Sequence, residues 1–182
     1  MLKFPTLGAA FACAFAVVAL AAAPANAQFK IRLGAETQIL DHVNNPPAGA
    51  SSTTWLTDQW RPSIVGMLGF YVLPILSIDG EIAEAFQVNP PAGQSSRLGT
   101  TFRLGATLSP PVIPFYIRAA VPLHLEPGDF FASMRAAIGT TLGPPVAKLY
   151  LELAADFPLG GAGHSFGDQQ TVSVGAGLQF DL

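Results

Sequence analysis

The sequence predicts an all-β chain, an eight-stranded antiparallel up-and-down transmembrane β-barrel preceded by a cleaved signal peptide. Three observations carry the prediction. Residues 171–182 alternate strictly: Val172, Val174, Ala176, Leu178, Phe180 and Leu182 fall on one phase, and Thr171, Ser173, Gly175, Gly177, Gln179 and Asp181 on the other. That is the period-two signature of a strand with one apolar and one polar face. Seven earlier segments repeat the alternation, and their charges gather on the polar phase. The connections are unequal, short and proline-bearing at 73–75, 109–112 and 143–145, longer at 41–60, 87–96 and 158–170. A barrel with tight turns on one rim and loops on the other has this asymmetry.

The first 27 residues read as a leader. Lys3 gives a positive start, residues 7–23 an apolar run, and Ala25-Asn26-Ala27 a small-x-small cleavage site, so the mature chain is expected to begin at Gln28 after Sec export. Cys13 lies inside the apolar run with more apolar residues after it, which argues against a lipoprotein signal. Residues 28–182 then form one domain. That domain has no cysteine, so hydrogen bonds and packing must hold it without disulfides. Its eight Lys and Arg against 12 Asp and Glu give no reason to expect a nucleic-acid partner. Beyond the leader, no apolar run approaches the roughly 20 residues of a spanning helix.

The first predicted strand, 29–40, puts Phe29, Ile31, Leu33, Ala35, Thr37 and Ile39 on one face and Lys30, Arg32, Glu36 and Gln38 on the other. A polar loop, 41–60, carries Trp55 and Trp60. The second strand, 61–72, faces Ile64, Leu68, Phe70 and Val72 outward; Tyr71 is on its inner phase. The third, 76–86, turns Ser77, Asp79 and Glu81 inward, and leaves Glu84 on the outward phase near a membrane boundary. The fourth, 97–108, turns Arg97, Thr101, Arg103 and Thr107 inward. The fifth, 113–125, does the same with Tyr116, Arg118 and His124, and its Pro114 and Pro122 predict a bulge. The sixth, 130–142, has Ser133 and Arg135 inward. The seventh, 146–157, has Lys148, Tyr150, Glu152 and Asp156 inward, and a Gly-rich loop at 158–170 leads to the last strand.

The charges place lipid outside this barrel. All eight Lys and Arg of the mature chain take the inward phase or its continuation at Arg61, whereas the opposite face is almost uncharged. A soluble barrel would do the reverse. Lys or Arg on a lipid face at mid-depth costs about 2–4 kcal/mol. Phe29, Phe70, Phe86, Phe102, Phe115, Phe130, Phe157 and Phe180 share the outward phase, as an aromatic girdle does.

With this leader, alternation, loop asymmetry and the end Gly177-Leu178-Gln179-Phe180-Asp181-Leu182, the chain resembles the small outer-membrane β-barrel proteins of the eight-stranded, OmpA/OmpX-like kind. The resemblance implies the outer membrane of a Gram-negative bacterium, lipid around the barrel, and insertion by the barrel-assembly machinery. That family usually ends in an aromatic residue; here Leu182 ends the chain and Phe180 lies on the same face.

The inward charges nearly balance, so the lumen is expected to be filled by a network of Lys30, Arg32, Glu36, Asp79, Glu81, Arg103, Arg118, Arg135, Lys148, Glu152, Asp156 and Asp181. Lys30 is expected to meet Asp181 where the first and last strands close. Arg103 and Arg118 are expected roughly opposite each other, with Asp79 or Glu81 between them, and Tyr71, Tyr116 and Tyr150 to plug the periplasmic end. Three scattered histidines and no cysteine in the mature chain give no metal site, and no motif calls for a cofactor. The expected role is structural or in surface interaction, without catalysis. The alternatives are a narrow pore for small solutes, a soluble periplasmic lipocalin-like binding barrel, and a lipid-modifying enzyme using His124 and Ser133, which point inward near one hairpin; other outer-membrane barrels act on lipid A with such a pair.

Overall fold

A computed structural model describes residues 29–44, 46, 48–49, 51–55, 60–88, 97–110, 113–126, 129–144, 146–161, 165–166 and 168–182. The leader, Cys13, Asp58 and His164 lie outside the described residues, as does the side chain of Arg97. Among the described residues nine strands follow in chain order: β1 Phe29–Val43, β2 Thr53–Trp55, β3 Pro62–Leu73, β4 Leu76–Phe86, β5 Arg97–Leu108, β6 Phe115–Glu126, β7 Asp129–Leu142, β8 Ala147–Gly161 and β9 Gln169–Asp181. Every pairing is antiparallel; β1 pairs with β3, each later strand with the next, and β1 with β9, so eight long strands close a barrel. The three-residue β2 lies within the loop expected at 41–60 and pairs with β1 beyond the point where β3 ends. The chain closes on itself at the short-turn rim, where Phe29 and Leu182 exchange both backbone hydrogen bonds, at 3.0 and 2.8 Å.

The faces follow the alternation. Ile64, Leu104, Ile117, Ile138 and Leu151 are exposed on the outside, whereas Lys30, Arg32, Arg103, Arg118 and Arg135 are buried inside. A soluble lipocalin-like barrel would bury the apolar set instead, so this arrangement excludes one. Trp55, the last residue of β2, and Trp60, two residues before β3, are exposed. Glu84, on the outward phase, is half-buried and accepts a 2.7 Å hydrogen bond from the Thr100 hydroxyl of the neighbouring strand.

Several expected boundaries move outward on the long-loop side. β1 and β9 stay paired to Val43↔Gln169, fastened by the Asp41 carboxylate, which accepts from Gln169 Nε2 at 2.8 Å and Thr171 Oγ1 at 3.0 Å. β8 continues through what the sequence marked as a Gly-rich loop. Pro158 pairs with Ser133 and Gly160 with Ala132, which leaves Leu159 as a bulge. Gly160 and Gly161 sit at φ 149° and 131°, and a Cβ on Gly161 would lie 2.7 Å from the Phe131 Cα. Glycine here serves a bulged strand rather than a turn.

The bulge expected in the fifth strand is absent. β6 keeps one register with β5 throughout, and with β7 on either side of Val121 and Pro122, where the ladder is merely interrupted. Pro114 precedes the strand, and Pro122 faces Arg103. Missing a donor removes a hydrogen bond, but it need not insert a residue.

The lipid-facing assignment has a direct test. Leu104→Arg places a cation in the lower half of the lipid face and is expected to destabilise the barrel by about 2–4 kcal/mol. Equilibrium unfolding in lipid vesicles measures it, and no loss would mean that Leu104 does not face hydrocarbon.

Candidate functional site

The strands deliver their inward side chains to one lumen, and long side chains cross it. Six bases (Lys30, Arg32, Arg103, Arg118, Arg135, Lys148) meet six acids (Glu36, Asp79, Glu81, Glu152, Asp156, Asp181) in ion pairs. These are the twelve residues expected from the sequence to form the lumen network.

Near the short-turn rim, Lys148 Nζ lies 2.6 Å from Asp181 Oδ2. Lys30 is the backbone partner of Asp181 across the closing strands, as expected, yet the two do not form the expected pair. The Lys30 ammonium instead donates to Ser77 Oγ at 2.7 Å and lies 3.8 Å from Asp79. Its path runs over Gly69, where a Cβ would stand 3.2 Å from Lys30 Cε. Glycine on β3 therefore lets a β1 side chain reach β4, and leaves Asp181 to Lys148.

Deeper in, Asp79 Oδ1 accepts from Arg118 Nε at 2.9 Å and Nη2 at 2.6 Å, while Oδ2 accepts from Thr107 at 2.7 Å. Glu81 is shared, one oxygen with Arg103 and the other with Arg118 Nη1 at 2.8 Å. An acid does sit between the two arginines, but they are not opposite: Arg103 pairs with Pro122 and Arg118 with Thr107. Glu36, on β1, takes the Arg103 guanidinium and Arg135 Nη2 at 2.8 Å, and Arg135 also reaches Asp156 at 2.7 Å. These contacts lace β1 to β5 and β7 across the lumen.

The tyrosines do two different things. Tyr71 is half-buried and its hydroxyl lies 3.4 Å from Asp181. Tyr116 and Tyr150 are buried and flank the Arg32 guanidinium, with ring centroids 4.3 and 5.0 Å away. The Tyr116 hydroxyl donates to Glu152 at 2.9 Å, and Arg32 Nη1 reaches the same carboxylate at 3.3 Å. Tyr116 rests on Gly139, where a Cβ would collide with its ring.

Toward the long-loop rim the network gives way to a cavity of about 240 Å³. Glu36, Arg103 and Asp156 reach it from the network, Arg61 and Glu126 add a charge of each sign, and Gln38, Ser63, Thr171 and Gln169 line it with neutral polar groups. His124 stands in its wall: Nε2 is 2.9 Å from Ser133 Oγ and Nδ1 is 3.1 Å from Thr101 Oγ1, and the ring stacks on Phe131 at 4.3 Å. The inward phase brings His124 and Ser133 to one site. It also marks Thr101 and Phe131, which the sequence gave no reason to single out. The contact joins a serine hydroxyl to an imidazole, whose other nitrogen meets the hydroxyl of Thr101. Among the described residues no cluster of His, Cys, Asp and Glu could hold a metal.

Truncation separates the interior from the rim. Arg118→Met takes from Asp79 its two guanidinium hydrogen bonds and from Glu81 one of its two arginines, and is expected to cost about 3–5 kcal/mol, the loss typical of breaking a buried pair from one side. Lys148→Met, at the wetter rim, is expected to cost at most about 1 kcal/mol. Unfolding in vesicles compares them; equal losses would show that the inner pairs are not sealed from water.

No protein-family model matches the chain, and no curated protein does. Among solved structures it is similar to Neisserial surface protein A (NspA), with a TM-score of 0.51 at 10% identity over 85% of this chain and 97% of that one. Two further similar structures are the outer membrane protein AlkL in DMPC lipid bilayers (0.47, 11%, 88% and 92%) and the outer membrane protein OprG from Pseudomonas aeruginosa (0.39, 8%, 85% and 95%). At such identities the likeness concerns the fold alone. The chain has the fold of the small eight-stranded outer-membrane β-barrels.

Proposed function

We propose that this barrel has a structural or surface-interaction role in the outer membrane of a Gram-negative bacterium, with a lumen closed to solutes and no catalysis. One observation carries the closed lumen. At its waist Glu81, Glu152, Arg32, Arg103, Arg118 and Arg135 are all buried and joined to one another or to Glu36, with Tyr116 and Tyr150 against Arg32. An eight-stranded barrel is just wide enough for side chains to fill. Sec export with cleavage after Ala27, and insertion by the barrel-assembly machinery, belong to the same reading. Mature protein purified from outer membranes should begin at Gln28.

Planar-bilayer recording tests the closed lumen. Purified full-length mature protein should give no single-channel steps, and steady conductance would replace this reading with the narrow pore. A second reading is favoured by the 2.9 Å contact of His124 and Ser133. A working nucleophile would react with a fluorophosphonate probe. Ser133 should stay unlabelled; labelling that disappears in His124→Ala would establish a hydrolytic site and overturn the non-catalytic role.

A further inference from the structure

The cavity above the charged waist has a distinctive lining. Its charged groups offset one another: Glu36 is held by Arg103 and Arg135, Asp156 by Arg135, and Arg61 and Glu126 add one charge of each sign. Glu36 and Asp156 each face a guanidinium, so neither carries an uncompensated charge. Its neutral polar groups include the amides of Gln38 and Gln169 and the hydroxyls of Ser63, Thr101 and Thr171, of which Gln169 and Thr171 also donate to Asp41 and Thr101 meets His124. Apolar surface is contributed on one side by Phe131, whose ring is held flat against His124 with 12° between the planes. Ser173 Oγ and Asp156 Oδ1, on the same wall, have no hydrogen-bond partner among the described residues.

An apolar ligand would strip water from these groups and return nothing. A strongly charged one would meet a lining whose ions already compensate each other. A ligand that carries many hydroxyls and no net charge suits it, because each hydroxyl both donates and accepts and the C–H faces of a sugar ring can lie on an aromatic ring. At about 240 Å³ the cavity has the space of roughly eight waters, which limits the ligand to about one sugar ring.

We infer that this cavity binds one neutral sugar ring, either a free monosaccharide or the terminal residue of a glycan. The inference rests on the surface-interaction role proposed above and names the chemistry of that interaction. Gln38 and Thr101 position the ring's hydroxyls from opposite walls, and Phe131 offers it a flat apolar face. The charged waist beneath closes the site, so that a sugar bound there is held rather than conducted.

Isotope-labelled mature protein in micelles is titrated with glucose, galactose, mannose and N-acetylglucosamine, each free and as its methyl glycoside, into the tens of millimolar. At least one should shift amide resonances of Gln38, Thr101 and Thr171, saturating with a millimolar Kd, and leave the resonances around Tyr71 unmoved. Gln38→Leu and Thr101→Val, which leave the ion pairs intact, should each weaken binding about tenfold, the effect of losing one hydrogen bond to a hydroxyl. Equal binding of free sugar and methyl glycoside identifies a glycan terminus; binding of the free sugar alone identifies a monosaccharide site. Glucuronate and glucosamine should bind no better than the neutral sugars.

No saturable shift with any neutral sugar, or shifts that persist unchanged in both variants, overturns the inference. Bilayer recording on the same preparation keeps the two failures apart. Sugar shifts in a conducting barrel sink the closed lumen alone, and a silent barrel without shifts sinks the sugar site alone.

Discussion

Six acids and six bases enclosed in a tube whose outer wall faces lipid must neutralise one another, because neither water nor the bilayer will do it for them. This constraint explains why the acids are shared. Glu81 serves Arg103 and Arg118, Glu36 serves Arg103 and Arg135, and Glu152 serves Arg32 and Tyr116. It also explains where glycine occurs. Arginine and lysine can cross from one strand to another only where the intervening strand presents no side chain, as Gly69 does beneath Lys30 and Gly105 does beside Asp79. Charge, side-chain length and glycine placement are one design.

The network and the cavity above it divide the interior into two regimes. Below, groups are locked in pairs and rings are stacked on guanidiniums. Above, the same barrel wall adds amides and hydroxyls to the charges and leaves a cavity between them. Ordinary pleating with inward polar residues serves both. What changes is composition along each strand: Lys30 and Arg32 on β1 give way to Gln38, and Arg118 on β6 gives way to His124.

The faces were legible in the sequence because a period of two leaves no third choice. Once the outside was assigned to lipid, every inward charge followed, including Arg135 and Asp156, which meet at 2.7 Å. Partners were less legible. Register predicted Lys30 beside Asp181 correctly, but a lysine stem is long enough to ignore its backbone neighbour, and Gly69 gave it a path to Asp79. The outer ends of β1, β8 and β9 were illegible for a different reason. Gly160 and Gly161 signal a loop by composition, and only the bulge opposite Ala132 and Ser133 reveals that they belong to a strand. The cavity was the least legible feature, since alternation tells which way a residue points and not how much of the space ahead is filled.

The closing seam between the first and last strands contains a gap in side chains, where Gly34 and Gly177 are direct partners. A Cβ on either residue would strike Tyr150, which reaches over from β8. The ring therefore roofs the one place on the seam where two bare backbones face each other. Such a roof can be set only after the two ends of the sheet have met, because half of the surface under it belongs to each. Tyr150 thus acts as a latch for a ring that has already been joined, and parting the ends would have to lift it first.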